Sequence, residues 1–96
     1  MAIKNKRVDF WKDGDSGRFT DGTNFRLRNV RAPEGYQFGG SKATKTVAGM
    51  TGRTKGFVNI KTFAKDKYGR NVVDMWNKDG SINSRLRDKG YSNKGR

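Results

Sequence analysis

The 96-residue chain contains no cysteine and no histidine. Without cysteine there is no disulfide staple, no thiolate nucleophile and no zinc site of the Cys/His kind. Without histidine the side chain most often used for general acid–base work is missing. Any catalysis must therefore run on carboxylates, arginines, lysines, tyrosines, or a metal held by oxygen ligands. Proline occurs once, as Pro33. No apolar run approaches the roughly 20 residues that span a bilayer, and the opening Met1-Ala2-Ile3-Lys4-Asn5-Lys6-Arg7 lacks the apolar stretch of a signal peptide. These absences lead to the expectation of a cytoplasmic or already processed chain with no membrane partner. Acidic residues are also scarce, 9 against 22 lysines and arginines, which leaves a formal net charge of +13.

That charge favours polyanions, DNA or RNA above all, over a merely solubilising surface. The length fits one domain over residues 1–96, expected to be monomeric, with flexible ends at about 1–6 and 92–96. Only 31% of the residues are hydrophobic, so the core is expected to be small and to draw heavily on the six Phe, two Trp and three Tyr. Between Gly35 and Lys65 there is no acidic residue, whereas Asp13, Asp15, Asp21 and Glu34 fall within one short stretch. Turn chemistry accounts for part of this, since Asp13-Gly14 and Asp21-Gly22 both read as turns.

The pattern along the chain predicts strands over 7–11, 16–20 and 24–30, the last with Arg26 and Arg28 on one face. Pro33 ends this meander, because proline cannot continue a ladder. Ser41 is the expected N-cap of a helix whose Ala43, Val47 and Met50 form one apolar stripe and which ends near Gly52. Strands follow at 57–63 and 72–76, joined by the turn Asp66–Arg70. Ser81 caps a short helix with Ile82 and Leu86 inward, stopped by Gly90. The order β-β-β-α-β-β-α predicts a mainly β (α+β) fold: a five-stranded OB-fold Greek-key barrel with one mid-chain helix and a short C-terminal helix.

Four segments carry a resemblance. They are Asp13-Gly14-Asp15-Ser16; Phe25-Arg26-Leu27 leading to Val30-Arg31-Ala32-Pro33-Glu34; Asp66-Lys67-Tyr68-Gly69-Arg70; and Ile82-Asn83 through Leu86 to Lys89-Gly90-Tyr91. In this order and spacing they resemble the staphylococcal nuclease family over roughly residues 7–92. The resemblance implies an OB-type barrel and divalent-metal-dependent hydrolysis of DNA and RNA phosphodiesters. It implies Asp15 as a metal ligand, with Glu34 and the Ala32 carbonyl alongside. The metal is typically Ca2+, with Mg2+ or Mn2+ as substitutes. It further implies Glu34 as the group that positions or activates water, Arg26 and Arg70 as the arginines on the scissile phosphate, and Lys67 and Tyr68 as contacts to the phosphate side of the nucleotide. The chemistry is coherent on its own terms: guanidinium groups neutralise a phosphodiester that would otherwise repel its nucleophile, and a carboxylate takes the proton of water.

The chain departs from that pattern in two places. The family's second metal carboxylate is expected two residues before Pro33, where this chain has Arg31, a permanent cation. Arg28 and Arg31 are accordingly read as further nucleic-acid contacts. The nucleobase-stacking tyrosines of the family's C-terminal region are missing, with Tyr36, Phe38 and Tyr91 as the available replacements. Two functions remain open at this point: a small nuclease, or a non-catalytic nucleic-acid-binding module that keeps the barrel and has lost the metal site.

Overall fold

The computed structural model describes residues 3–33 and 37–91. Its elements are β1 (Ile3–Trp11), β2 (Ser16–Phe19), β3 (Asn24–Leu27), α1 (Gly40–Gly52), β4 (Phe57–Lys65), β5 (Asn71–Asn77), β6 (Gly80–Ser81) and α2 (Ile82–Asp88). Strand β1 serves two neighbours. Its first half pairs antiparallel with β4, from Ile3 opposite Lys61 to Arg7 opposite Phe57. Its second half pairs antiparallel with β2, and the register shifts between Val8 and Phe10. An extra residue of this kind bends and twists a strand, and the bend lets one strand bridge two sides of a barrel. The ring closes where β3 pairs in parallel with β5, Arg26 opposite Val72. The result is a closed five-stranded mixed barrel, to which the two-residue β6 adds on β5. None of the described helices is long and apolar enough to cross a membrane.

The boundaries differ from the sequence pattern where backbone conformation overrides it. Residues 3–6, read as part of a flexible end, are ladder residues paired with β4; their alternation is masked because charged residues occupy an exposed outer face. Strand β3 stops at Leu27 rather than Val30. Asn29 takes a left-handed φ of 57°, a conformation asparagine tolerates better than most residues. That turn breaks the period-2 pattern, so Val30 is fully buried and Asn29 is exposed. Helix α1 begins at Gly40 behind a left-handed Gly39 with no side-chain cap, so Ser41 is not the cap. Helix α2 follows the expected design, with the Ser84 amide donating to Ser81 Oγ at 3.1 Å and Gly90 at φ 97° just beyond its end.

The core consists of Phe19, Phe25, Leu27, Val30, Val47, Met50, Val58, Ile60, Val73, Met75, Ile82 and Leu86. It is more aliphatic than the composition leads one to expect. Phe19 and Phe25 stack at 4.4 Å between centroids, and Trp11 meets Phe25 edge-on at 5.0 Å. Phe10, Phe38, Phe57 and Tyr68 instead face solvent. Gly17 is fixed by this packing: a Cβ there would sit 2.4 Å from the carbonyl oxygen of Phe10.

Candidate functional site

The turn between β1 and β2 is built from Asp13-Gly14-Asp15. The amides of Lys12 and Asp13 both donate to the carbonyl of Ser16, at 3.0 and 3.2 Å, and Ser16 Oγ donates to Asp13 Oδ2 at 3.1 Å. Gly14 is packed too tightly for a side chain, since a Cβ would lie 2.8 Å from the Cβ atoms of both Ala32 and Ala43. This close approach brings Asp15 against the segment that follows β3. The Leu27 amide donates to the Asp15 carbonyl at 2.8 Å, and the Ala32 amide donates to Asp15 Oδ2 at 3.3 Å. The Leu27 bond fixes the backbone of Asp15, and the Ala32 bond holds its carboxylate.

Asp15 is half-buried, and that burial pushes its carboxyl above the ordinary aspartate range. The Ala32 N–H and the Arg26 guanidinium pull it down, neighbouring Asp13 pushes it up, and Arg70 pulls it down, with burial prevailing. Arg26 and Arg70 thus both act on the Asp15 carboxylate. The cause of the convergence is topological. Parallel pairing of β3 with β5 sets Arg26 beside Val72, two residues after Arg70.

The connection from β4 to β5 holds Arg70 in place. Asp66 Oδ1 accepts from the amides of Tyr68 and Arg70, both at 2.9 Å, and Asp66 Oδ2 accepts from Arg70 Nε at 2.8 Å. Gly69, at φ 80°, supplies the left-handed residue that the turn needs. Burial raises the Asp66 carboxyl, but the hydrogen bonds from Arg70 and Tyr68 together with the Arg70 charge outweigh it and hold the group below its ordinary value. The Tyr68 ring lies 5.2 Å from Lys67 Nζ and 5.4 Å from the Arg70 guanidinium carbon.

The remaining predicted residues are distributed differently. Arg28 lies apart from the Asp15 group, ion-paired to Asp74 at 3.5 Å and stacked over Phe63 at 4.2 Å. Arg31 is exposed, and its amide donates to the Tyr91 carbonyl at 3.1 Å. Its side chain helps line a separate, open hollow of about 460 Å³ with Pro33 and Phe38. Of the replacements considered for base stacking, Tyr91 packs on the core and Phe38 is exposed. Glu34 and Tyr36 lie outside the described residues.

A calcium cage takes six to eight oxygens. Among the described residues, no three His, Cys, Asp or Glu side chains come together, and Glu34, a further expected ligand, lies outside them.

Beside Arg70 lies a cleft of about 460 Å³, lined by Phe10, Lys12, Asp13, Ser16, Gly17, Asn24, Tyr68 and Arg70. Sequence reasoning missed Phe10, Lys12 and Asn24. Phe10 reads as one more strand residue, and only the bend in β1 shows which way it faces. Lys12 carried a signal, being the basic residue that precedes the Asp13–Asp15 turn.

A family model for staphylococcal nuclease homologues matches residues 24–95. That segment includes Arg26, Glu34 and Arg70, while Asp15 precedes it. No curated protein matches the chain. The match covers well over half of the chain and agrees with the barrel: the chain belongs to the staphylococcal nuclease homologue family.

Proposed function

We propose that the protein is a nuclease that hydrolyses phosphodiester bonds of DNA or RNA with the help of a divalent cation. The observation that carries this reading is the half-buried Asp15 carboxylate acted on by both Arg26 and Arg70. Arg26 and Arg70 neutralise the phosphodiester and stabilise the added charge of the transition state. Asp15 provides the hard oxygen for a cation, with Glu34 and the Ala32 carbonyl as further ligands. When bound, such a cation supplies additional charge neutralisation at the phosphate. Glu34 is assigned to water activation. Lys67, Tyr68 and Arg31 are assigned to flanking phosphates.

The alternative, a non-catalytic binding module, is favoured by Arg31, which stands where the family resemblance calls for an acid. Digestion of plasmid DNA and single-stranded RNA separates the two. It is run with EDTA and then with calcium, magnesium and manganese in turn, on the wild type and on Asp15→Ala and Arg70→Ala. The nuclease reading expects metal-restored cleavage that both substitutions abolish. Salt-sensitive binding with no cleavage in any metal would establish the module instead.

A further inference from the structure

Phe10 is 47% exposed and Tyr68 71% exposed, and both line the cleft beside Arg70. A single exposed aromatic needs no explanation. Two lining one cleft together with Lys12 and Arg70 form the combination that single-stranded nucleic acid uses: flat apolar faces for bases and cations for the backbone. Phe10 is also braced. The Arg18 guanidinium lies 5.0 Å from its ring, and Arg18 is tied at 3.0 Å to Asp9. Gly17 also lines the cleft and admits no side chain, because its Cβ position is already crowded by the Phe10 carbonyl and Trp11 Cα. That part of the lining therefore stays bare, and the Phe10 ring is about half exposed.

We propose that this cleft is a nucleobase subsite for an unpaired strand, in which a base flanking the phosphate held at Arg70 stacks on Phe10 and Lys12 contacts the adjoining phosphate. The proposal rests on the phosphodiester reading above and adds two residues to it. A paired base has both faces covered by its neighbours in the duplex, so the subsite selects single strands. It also supplies the stacking surface that Tyr91, packed on the core, does not.

Fluorescence anisotropy with nuclease-resistant phosphorothioate oligonucleotides tests the subsite, because the affinity then does not depend on whether the protein cuts. The probes are a single strand, the same strand with abasic spacers, and the corresponding duplex. Phe10→Ala is expected to weaken binding to the base-bearing strand about tenfold, the size of one lost stack, and to leave the abasic strand unaffected. Phe10→Trp is expected to retain the preference for bases. Lys12→Gln is expected to weaken both single strands alike and to reduce the salt slope by about 0.7, one phosphate contact. Phe10 is half exposed, and circular dichroism of each variant confirms that the fold persists. Equal affinity of Phe10→Ala and wild type for the base-bearing strand would overturn the subsite, as would an equal loss on the abasic strand or a duplex bound as tightly as the single strand. Cleavage that persists alongside such a result leaves the nuclease reading standing. Base-dependent binding without cleavage would support the subsite and remove hydrolysis.

Discussion

Asn83 ties α2 to the seam that closes the barrel, and replacing it tests whether that seam positions the site. The residue is 1% exposed. Its Oδ1 accepts from the Met75 amide at 2.8 Å, and its Nδ2 donates to the carbonyls of Arg28 at 3.0 Å and Val73 at 3.1 Å. Asn83→Leu keeps the branch at Cγ, though with a larger side chain, and removes these bonds together with the longer one from Nδ2 to Asp74 Oδ1 at 3.4 Å. The two carbonyls keep other donors, Arg87 for Arg28 and the Arg28 amide for Val73. The buried Met75 amide loses its side-chain acceptor. An orphaned buried amide costs about 1–3 kcal/mol, and each lost hydrogen bond about 1 kcal/mol net. The expected loss is therefore about 3 kcal/mol, a large part of the total for a domain of this size. Urea denaturation followed by tryptophan fluorescence should show the midpoint falling by about 2 M at an unchanged slope. Asn83→Asp discriminates further. It keeps the Met75 acceptor but sets a buried carboxylate against two carbonyl oxygens, so its cost should grow as pH rises and the group ionises. A loss below about 1 kcal/mol for Asn83→Leu, or a pH-independent Asn83→Asp, would refute this account of the seam.

Asp15→Asn should abolish cleavage while raising stability near neutral pH. Because the folded state raises the Asp15 pKa, ionisation disfavours folding, so the advantage of the variant should build as pH rises from the ordinary aspartate value to the raised one, hold above it and vanish below the ordinary value, as read by thermal melts across pH. Arg70→Lys should lower the cleavage rate by about 10²-fold with little change in fold, because an ammonium cannot keep both the Asp66 bond and a forked grip on phosphate; rates within twofold of wild type would argue against that grip. EDTA should abolish cleavage and an added divalent cation should restore it, as the proposed role of Asp15 requires; cleavage undiminished in EDTA would argue against a cation at Asp15.

Much of the barrel was legible because its patterns are local. Alternation along residues 57–63 and the Ala43, Val47, Met50 stripe both reflect which face is buried, and Ser81 announces α2 through a single hydrogen bond. What stayed hidden depends on long-range closure or on one dihedral. The φ of Asn29 reverses the faces of Val30 and Asn29 and ends β3 early. The parallel β3–β5 pairing that brings Arg26 near Arg70 joins segments over 40 residues apart, and no periodicity records it. The exposed faces of Phe10 and Phe57 were hidden because aromatic residues fit either side of a pleated strand. In this barrel a guanidinium lies against one side of each ring, Arg18 at Phe10 and Arg7 at Phe57, and both rings stay about half exposed.

The disposition of the acids bears most directly on the choice between cutting and binding. Asp9, Asp21, Asp66, Asp74 and Asp79 each hold a lysine or arginine in an ion pair, and their presence in a chain of net charge +13 has a structural reason. Asp15 differs. It forms no ion pair at contact distance with any described residue, although Arg26 and Arg70 lie close enough to pull on it, and burial makes its charge costly. A surface evolved only to bind phosphate gains nothing from such a carboxylate, because the charge offsets the two arginines it sits between and repels the ligand. The hydrolytic site proposed above would gain from it, because the carboxylate can hold a cation against the substrate. An acid that burial makes costly, with its carboxylate held by the Ala32 amide, is thus the feature on which the proposed hydrolysis, rather than adhesion alone, rests.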